Sequence, residues 1–341
     1  MSGQDAHSEN GIALHEQMLS MIFGSWVAQT VRAVADLSLA DHLAQGSLTA
    51  AEVARREASA PDTTLRLMRA GVATGLLESD GGQRFRGTPL LATLRKDGAR
   101  TLRPLALAMT RPSHWLPWSE FVVAVRKGET QVIAALGTDL FGYLQSNPVE
   151  AQEFSAAMGS LTSLWGPSIA AAINTEGVRC AVDVGGASGS LLQLLLQANP
   201  TLRGIVFDRP DVASNAEAEL TRNGFATRAD VVGGNFFESV PVGDLYLLKF
   251  VLHDWNDQEC ITILRRCREA MAPGGRVAII ELVVGERNPI AALWDMQMLA
   301  ECTGRERSLE EYDALLVAAG LRLRGVSKTP TPQLVLEAVA I

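Results

Sequence analysis

The chain reads CAVDVGGASGS at residues 180–190 and IVFD at residues 205–208. The first stretch is an apolar run that enters a glycine-rich turn, and a helical pattern follows at residues 191–198. The second stretch is another apolar run that ends at Asp208. Glycines let the backbone approach a ligand, and an acid at the end of the second strand accepts hydrogen bonds from both hydroxyls of a ribose. This layout predicts a nucleotide-binding βαβ unit.

Nicotinamide dehydrogenases and S-adenosylmethionine methyltransferases both use such a unit, and the C-terminal segments discriminate between them. From about residue 177 the sequence alternates strand and helix patterns, which predicts a largely parallel sheet covered on both faces. We predict strands at 180–184, 203–207, 227–232, 244–250, 276–284, 321–327 and 333–340, and helices near 190–198, 211–223, 256–271, 289–301 and 308–319. The last two strands are separated by the short Pro330-Thr331-Pro332 segment, so we expect them to pair antiparallel. A seven-stranded sheet that ends in an antiparallel hairpin favours the methyltransferase.

Composition limits the possible partners and locations of the protein. The chain has 341 residues, enough for two domains with well-formed cores. Its net charge of −8 makes nucleic acid a poor candidate partner, because phosphate binding needs a basic face. We see no secretion signal, and no stretch reaches the roughly 18 apolar residues that a membrane span needs. The four cysteines form no Cys-x-x-Cys pair, so we expect free thiols and a cytoplasmic protein.

The N-terminal region has a helical pattern from Leu14 to Leu43 with a wide apolar face. The apolar residues of this face are Met18, Met21, Ile22, Val27, Val31, Val34 and Leu37. Such a face is too wide for a single solvated helix. We therefore predict that a partner subunit covers it.

A winged-helix pattern follows this first helix. Leu48-Thr49-Ala-Ala-Glu52 predicts a helix start with a capping box, and a second short helix is predicted from Pro61. Asp80-Gly81-Gly82 predicts a hairpin turn that leads into a strand at residues 83–86. The pattern is compatible with DNA binding or with a module used for dimerisation. The acidic charge balance and the large downstream domain favour dimerisation.

Further motifs lie downstream of the glycine-rich turn. Residues 234–237 read GNFF, residues 244–255 read DLYLLKFVLHDW, residues 273–275 read PGG and residues 304–308 read GRERS. Together with Glu281, they resemble the plant caffeic-acid type of O-methyltransferase, whose bacterial relatives methylate polyketides and other aromatic natural products. The resemblance covers the whole chain.

This resemblance implies an α/β fold of the class I methyltransferase type. Its catalytic part, residues 177–341, is then a Rossmann-like seven-stranded sheet that binds S-adenosylmethionine. Residues 101–176 are a helical connector that contributes to the acceptor pocket. Residues 1–100 are an N-terminal α-helical, winged-helix-like dimerisation domain.

His253 is the strongest candidate for a catalytic residue. It lies just past the C-terminal end of a predicted strand, where ligands bind in open α/β sheets, and it alone of the five histidines has this location. A phenol has a pKa of about 10 and is a poor nucleophile at neutral pH until it loses its proton. Histidine, with a pKa of about 6.5, accepts such a proton as the attack proceeds. The alternative is an ordinary buried histidine bonded to the backbone.

The resemblance also implies roles for individual residues. His253 is the general base, Glu281 and Glu306 flank its ring, and Asp254 contacts the substrate or the base. The implied cofactor-binding residues are Asp183, Gly185, Gly186, Asp208, Arg209, Asn235, Phe236 and Lys249. The implied acceptor-pocket residues are Phe154, Met158, Leu161, Trp165, Met298 and Cys302.

Three residues stand out against the family pattern. Asn235 replaces an aspartate, and its amide oxygen still accepts a hydrogen bond from the adenine amine. Ala187 lies where the family often has glycine, so its methyl group crowds the cofactor slightly. Glu301 is unusual in a pocket wall, where it faces either solvent or a polar substituent of the acceptor.

We therefore predict an S-adenosylmethionine-dependent O-methyltransferase that acts on a phenolic hydroxyl of an aromatic secondary metabolite and works as a homodimer. We expect no metal, because no group of carboxylates, histidines or cysteines has ligand spacing. Three alternatives remain. They are a different reaction on the same fold, a winged-helix DNA-binding regulator and a nicotinamide dehydrogenase. The retained His253 argues against the first, and the lack of a Lys/Arg cluster argues against the second.

Overall fold

The computed structural model of the chain describes residues 3–81, 83–285 and 288–341. Its contacts divide the chain into two compact units, Met1–Arg111 and Pro112–Ile341. The division falls at Arg111, so it cuts the predicted connector of residues 101–176: residues 101–111 belong to the first unit and residues 112–176 to the second. Within the described ranges, no helix is both long and apolar enough to cross a membrane. All four cysteines are free.

The first unit is built of helices and a small antiparallel sheet of three strands, in which the last strand in chain order lies between the other two. Its helices are α1 (Gly3–Ile22), α2 (Gly24–Asp36), α3 (Leu39–His42), α4 (Ala50–Glu57), α5 (Pro61–Ala73), α6 (Pro89–Ala92) and α7 (Arg103–Ala108). Its strands are β1 (Leu48–Thr49), β2 (Leu77–Ser79) and β3 (Arg84–Gly87). The helix α4 begins with the predicted capping box of Thr49 and Glu52. Asp80 and Gly81 connect β2 to β3, whereas Gly82 lies outside the described residues.

The apolar face predicted at the N-terminus is covered only in its second half. Val34 is fully buried in the core of the first unit, and Val31 and Leu37 pack against that core. Met21 is 69% exposed, and Ile22 is exposed as well. The exposed large apolar side chains of α1 and early α2 are Ile12, Leu14, Met18, Leu19, Met21, Ile22, Trp26 and Val27. The segment from residue 12 to residue 27 thus exposes many large apolar side chains, and extensive exposed apolar surface marks interfaces.

The second unit is a helical segment followed by a seven-stranded sheet. Its helices are α8 (Pro112–Trp115), a 3-10 helix (Leu116–Glu120), α9 (Phe121–Lys127), α10 (Val132–Leu136), α11 (Leu140–Ser146), α12 (Pro148–Ala172), α13 (Ser190–Ala198), α14 (Pro210–Arg222), a second 3-10 helix (Leu252–Asp254), α15 (Asp257–Ala270), α16 (Pro289–Glu301) and α17 (Leu309–Ala318). Its strands are β4 (Cys180–Val184), β5 (Arg203–Asp208), β6 (Ala229–Gly233), β7 (Gly243–Lys249), β8 (Met271–Leu282), β9 (Leu321–Lys328) and β10 (Gln333–Ala340).

The strand order of this sheet is β6-β5-β4-β7-β8-β10-β9. The first five strands are parallel, and β10 lies antiparallel between β8 and β9. The predicted hairpin is therefore confirmed. Apolar clusters cover both faces of the sheet, because its buried strands are apolar on both sides. The connections leave β4 in opposite directions, so a ligand crevice is expected at the carboxyl ends of β4 and β7.

Candidate active site

His253 lies where the predicted crevice opens. Strand β7 ends at Lys249, and the 3-10 helix Leu252–Asp254 carries the histidine directly beyond this strand end. Its side chain is nearly buried, with 5% of the residue exposed. A short turn after an apolar strand thus places a titratable ring at the edge of the sheet where the glycine-rich loop also lies.

Three carboxylates surround the imidazole of His253. Its Nδ1 atom is 2.7 Å from Glu306 Oε1 and 3.6 Å from Glu281 Oε2, and its Nε2 atom is 3.6 Å from Asp254 Oδ1. Burial lowers the pKa of His253, but the charges of Glu281, Asp254 and Glu306 outweigh it and raise the pKa to about 10. Glu306 thus holds Nδ1 in the donor role, and Nε2 is the nitrogen left for proton transfer.

Glu281 holds the loop that carries the base rather than its ring. The residue is fully buried at the end of β8, and its Oε1 atom accepts hydrogen bonds from the backbone N–H groups of Val251, Leu252 and His253 at 3.1, 3.0 and 3.4 Å. Burial raises the pKa of Glu281 to about 7. The charge of this carboxylate also lies close to the imidazole, so Glu281 fixes the backbone of the turn and favours the protonated ring.

The sequence GRERS at residues 304–308 builds the other side of the base. A Cβ on Gly304 would lie 2.0 Å from the carbonyl oxygen of His253, so only glycine permits this close backbone approach. The approach brings Glu306 to the imidazole. Arg307 is fully buried and donates to the carbonyl oxygens of Leu252 and Trp255 at 2.9 and 2.7 Å.

Arg307 and Ser308 also connect this motif to the first turns of α15 and α17. The Arg307 guanidinium also binds Asp257 Oδ1 at the start of α15, with Nε at 3.0 Å and one terminal nitrogen at 2.8 Å. Ser308 and Glu311 form a capping box at the start of α17. Gly304, Glu306 and Arg307 therefore hold the turn that carries His253. Ser308 caps α17, and Arg305 pairs with Asp257 and Glu311.

His253, Glu281 and Glu306 each offer a ligand atom, and these atoms lie within 4.8 Å of one another. The reason we gave for expecting no metal, that no group of residues had ligand spacing, was therefore wrong. The three residues come from separate segments, so their spacing along the chain does not reveal a ligand set, although the resemblance implied that both glutamates flank the ring of His253. Glu281 Oε2 and Glu306 Oε2 have no hydrogen-bond partner among the described residues of this unit. Glu281 Oε1 accepts from the backbone of the turn, and Glu306 Oε1 bonds the imidazole. Both acids therefore position the base.

The glycine-rich loop and Asp208 form the cofactor edge. Gly185 has φ = 69°, and a Cβ there would lie 2.9 Å from Val251 Cγ2, so glycine is required at this turn. Asp208 Oδ2 accepts from the Ala187 N–H at 2.8 Å, and Oδ1 accepts from the Arg209 N–H at 2.7 Å. Each oxygen retains a lone pair for a ribose hydroxyl.

The structure shows where the side chain of Arg209 points and which backbone conformation Ala187 adopts. The guanidinium of Arg209 pairs with Asp211 Oδ2 at 2.6 Å, so the backbone N–H of Arg209 rather than its side chain lies at Asp208. Ala187 has φ = 48°, in the left-handed region that glycine occupies without strain. The family's preference for glycine at this position thus has a backbone cause.

Asp183 and Lys249 lie beneath the loop. Asp183 is 3% exposed and accepts a hydrogen bond from the backbone of Leu192 in α13, and a Cβ on Gly186 would lie 2.8 Å from its carboxyl carbon. Burial raises the pKa of Asp183 to about 7 and lowers that of Lys249 to about 8, while their mutual attraction opposes both shifts. These contacts indicate that Asp183 supports the loop from below.

Asn235 lies next to an aromatic cluster formed by Phe236, Phe237 and Trp255. Asn235 Oδ1 accepts from the Phe237 N–H at 3.0 Å, and Nδ2 donates to Glu238 at 2.9 Å. The ring of Trp255 lies edge-on to Phe236 and Phe237, with centroids 5.8 and 4.8 Å apart. Trp255 belongs to the quoted His-Asp-Trp motif, but the sequence alone did not place it beside Phe236.

The predicted acceptor-pocket residues occupy α12 and the end of α16. Leu161 is 2% exposed and behaves as core. Cys302 Sγ lies 3.8 Å from the sulfur of Met298 and 4.0 Å from the carbonyl oxygen of His253. Phe154 packs against the ring of His114 at 5.1 Å between centroids. Met158 is partly buried on the same helix as Phe154.

An aromatic stack that the sequence did not reveal connects this wall to the base. Phe250 stacks on the imidazole of His253 and on Trp294, with centroids 5.2 and 5.8 Å apart. The ring of Trp165 meets Phe250 edge to face, with 6.5 Å between the centroids. Phe250 has φ = 55°, a strained value for a bulky residue. Strain of this kind costs about 1–3 kcal/mol and is concentrated at functional sites.

Asp208 keeps lone pairs for a ribose, and the glycine turn lets the backbone approach a ligand, so this edge of the sheet fits an adenosyl sulfonium. The antiparallel strand β10 distinguishes the fold from that of the dehydrogenases. The fold and site define an S-adenosylmethionine-dependent methyltransferase. Residues 118–322 match the O-methyltransferase domain family model, and residues 19–97 match the O-methyltransferase dimerisation domain model. The chain belongs to this O-methyltransferase family, and S-adenosylmethionine is its cofactor.

Known proteins similar to this chain include O-methyltransferases named for the biosynthesis of mitomycin and of neocarzinostatin. The chain is 35% identical to the mitomycin biosynthesis 6-O-methyltransferase of Streptomyces lavendulae, with 91% of this chain and 90% of the relative covered. It is 34% identical to the phenazine O-methyltransferase PhzM of Lysobacter antibioticus, with 96% of each covered. An O-methyltransferase from neocarzinostatin biosynthesis, solved with S-adenosylmethionine and 2-hydroxy-5-methyl naphthoic acid, has a TM-score of 0.80, 35% identity and coverage of 92% and 96%.

Proposed function

We propose that the enzyme methylates a phenolic hydroxyl of an aromatic secondary metabolite, with His253 as the general base. The observation that carries this proposal is the 2.7 Å hydrogen bond between His253 Nδ1 and Glu306 Oε1, which leaves Nε2 for the acceptor hydroxyl. Of the relatives described above, one is named a phenazine O-methyltransferase and another was solved with 2-hydroxy-5-methyl naphthoic acid, and this supports an aromatic acceptor.

Bound S-adenosylmethionine supplies an electrophilic methyl group on a positively charged sulfonium. A cation held at this edge of the sheet would lower the pKa of His253 and so would favour the neutral imidazole that can accept a proton. Nε2 then takes the phenol proton while Glu306 keeps the ring oriented and stabilises the imidazolium that forms. Asp208 binds the ribose, and the stack of Phe250 and Trp294 keeps water from one side of the base.

The test is methyl transfer from labelled cofactor to a panel of phenols, followed by mass spectrometry. We expect His253→Ala to reduce turnover by about 10²–10⁴, the range for losing a general base, with the affinity for S-adenosylhomocysteine nearly unchanged. A matched control is His42→Ala, which changes a histidine of the first unit that lies outside this site. Near-wild-type turnover of His253→Ala at neutral pH would favour catalysis by proximity alone and would contradict the base.

We also propose that the enzyme is an obligate homodimer formed through its first unit. The exposed apolar surface of α1 and early α2 and the match to a dimerisation domain support this proposal. Obligate interfaces bury on the order of 2,000 Å² or more and are hydrophobic. Deletion of residues 1–43 should give aggregated or inactive protein. Light scattering that shows an active full-length monomer at micromolar concentration would contradict the dimer.

A further inference from the structure

Outside the group around His253, the second unit contains another buried histidine–carboxylate pair. His114 Nδ1 lies 2.8 Å from Glu301 Oε1, although the two residues are 187 positions apart in the sequence. The residues are 2% and 4% exposed. The amide of Gln297, one helical turn before Glu301, also donates to Glu301 Oε1. Glu301 therefore faces neither solvent nor an apolar wall, and its Oε1 atom accepts two hydrogen bonds.

The second ring nitrogen of His114, Nε2, does not share in the bond to Glu301. Among the described residues of the second unit, none gives Nε2 a hydrogen-bond partner, although the atom is fully buried. A buried polar group without a partner costs about 1–3 kcal/mol, so such groups call for an explanation. The two ring nitrogens of a histidine point in nearly opposite directions, and Nε2 therefore faces away from Glu301.

The surroundings of the pair place it on the acceptor side of the base. The ring of His114 packs on Phe154, a predicted acceptor-pocket residue, at 5.1 Å between centroids. Glu301 precedes Cys302, whose sulfur lies 4.0 Å from the carbonyl oxygen of His253. The carboxylate of Asp254 is also close enough to act on Glu301 electrostatically.

The protonation of the pair follows from its burial. A pair with one proton carries a net negative charge, whereas a pair with two protons is neutral overall and costs less to bury. In either arrangement of the neutral pair, one proton lies between Nδ1 and Oε1 and the other lies on Nε2. Burial is the largest influence on Glu301 and raises its pKa, whereas the charge and the hydrogen bond of His114 oppose this shift. The net rise in the pKa of Glu301 agrees with a pair that holds two protons.

We infer that His114 is a specificity-determining residue whose Nε2–H donates a hydrogen bond to a carbonyl or carboxylate oxygen of the acceptor. Glu301 and Gln297 are positioning residues that fix the ring. This inference rests on the proposed function, because it assumes that the aromatic acceptor binds beside Phe154 and His253. It narrows the acceptor to aromatic phenols that carry a second, oxygen-bearing substituent.

The experiment uses full-length enzyme saturated with S-adenosylhomocysteine and measures binding by calorimetry. The probes are the isomeric hydroxynaphthoates, which test a carboxylate, and the isomeric acetylnaphthols, which test a neutral carbonyl, with 1-naphthol and 2-naphthol as references. We expect at least one isomer to bind about tenfold or more tightly than its parent naphthol, as one good hydrogen bond to a buried donor provides.

His114→Phe keeps an aromatic ring against Phe154 but has no donor, and it should bring the best probe to within about twofold of its parent naphthol. His114→Gln retains a side-chain N–H and should keep part of the preference. The affinity for S-adenosylhomocysteine reports whether each variant is folded, and the comparison of probes on wild-type protein needs no variant at all.

Two outcomes would overturn the inference: no isomer is preferred by wild-type enzyme, or the preference is unchanged in His114→Phe. The proposed function is tested separately by methyl transfer to the parent naphthols and the oxygenated probes. If none of them is methylated, the proposed function fails, whereas methylation without any preference contradicts only the role of His114.

Discussion

Replacing Glu306 by glutamine should move the pH dependence of the reaction toward lower pH. The carboxylate of Glu306 lies 2.7 Å from His253 Nδ1 and is one of three negative charges that keep the imidazole protonated. Because these charges raise the pKa of His253 to about 10, well above that of a free imidazole, the ring is mostly protonated in the free enzyme at pH 7. We therefore expect kcat/KM of the wild-type enzyme to rise about tenfold per pH unit from neutrality toward that pKa, because this ratio reports the free enzyme.

An opposite charge at this distance shifts a pKa by about 1–3 units. Glu306→Gln retains an oxygen that accepts the Nδ1–H hydrogen bond but removes the charge, so the pKa of His253 falls. The rising limb of kcat/KM should then move at least about one unit toward lower pH. The rate at its plateau should fall as well, because the imidazolium that forms during the reaction loses its charged partner.

The assay is the initial rate of methyl transfer between pH 6 and pH 10, followed by mass spectrometry with a phenolic acceptor. Glu269→Gln is a matched control, because it removes the same charge from an exposed residue of α15 that pairs with Arg266. Its profile should coincide with that of the wild type. A limb that stays in place in Glu306→Gln, or moves toward higher pH, would refute this account of how the carboxylates set the pKa of His253.

Three further predictions follow from the site. Asp208→Ala removes the carboxylate that is proposed to bind the ribose. Calorimetry should show S-adenosylhomocysteine binding weakened at least about tenfold, because a hydrogen bond to a charged group contributes about 1.5–3 kcal/mol. An unchanged dissociation constant would mean that Asp208 does not bind the ribose. Arg307→Met removes a buried charged donor to the carbonyl oxygens of Leu252 and Trp255 and to Asp257, so urea unfolding should show a loss of roughly 3–5 kcal/mol, and a loss below about 1 kcal/mol would show that the guanidinium is dispensable. Dialysis against a chelator should leave turnover unchanged; a loss of activity that a divalent cation restores would make His253, Glu281 and Glu306 a metal site.

The sequence determined those features that depend on neighbouring residues. The glycine turn at 184–190, the alternation of apolar strands and amphipathic helices, and the short connection at Pro330 are local patterns, and they predicted the seven-stranded sheet and its antiparallel hairpin. The capping box at Thr49 is local as well. Because parallel strands end at one edge of a sheet, the position of His253 after β7 was enough to place it beside the glycine-rich loop.

Tertiary structure alone decided which distant side chains meet. Glu306 rather than Glu281 makes the short contact to the imidazole, because Gly304 permits a backbone approach that no sequence pattern measures. His114 and Glu301 are separated by most of the second unit, and only packing shows that they form a buried pair with an unused nitrogen. Periodicity reports which face of an element is buried, whereas the partner across the core depends on the packing of elements far apart in the chain, and that packing determines the polar contacts of this site.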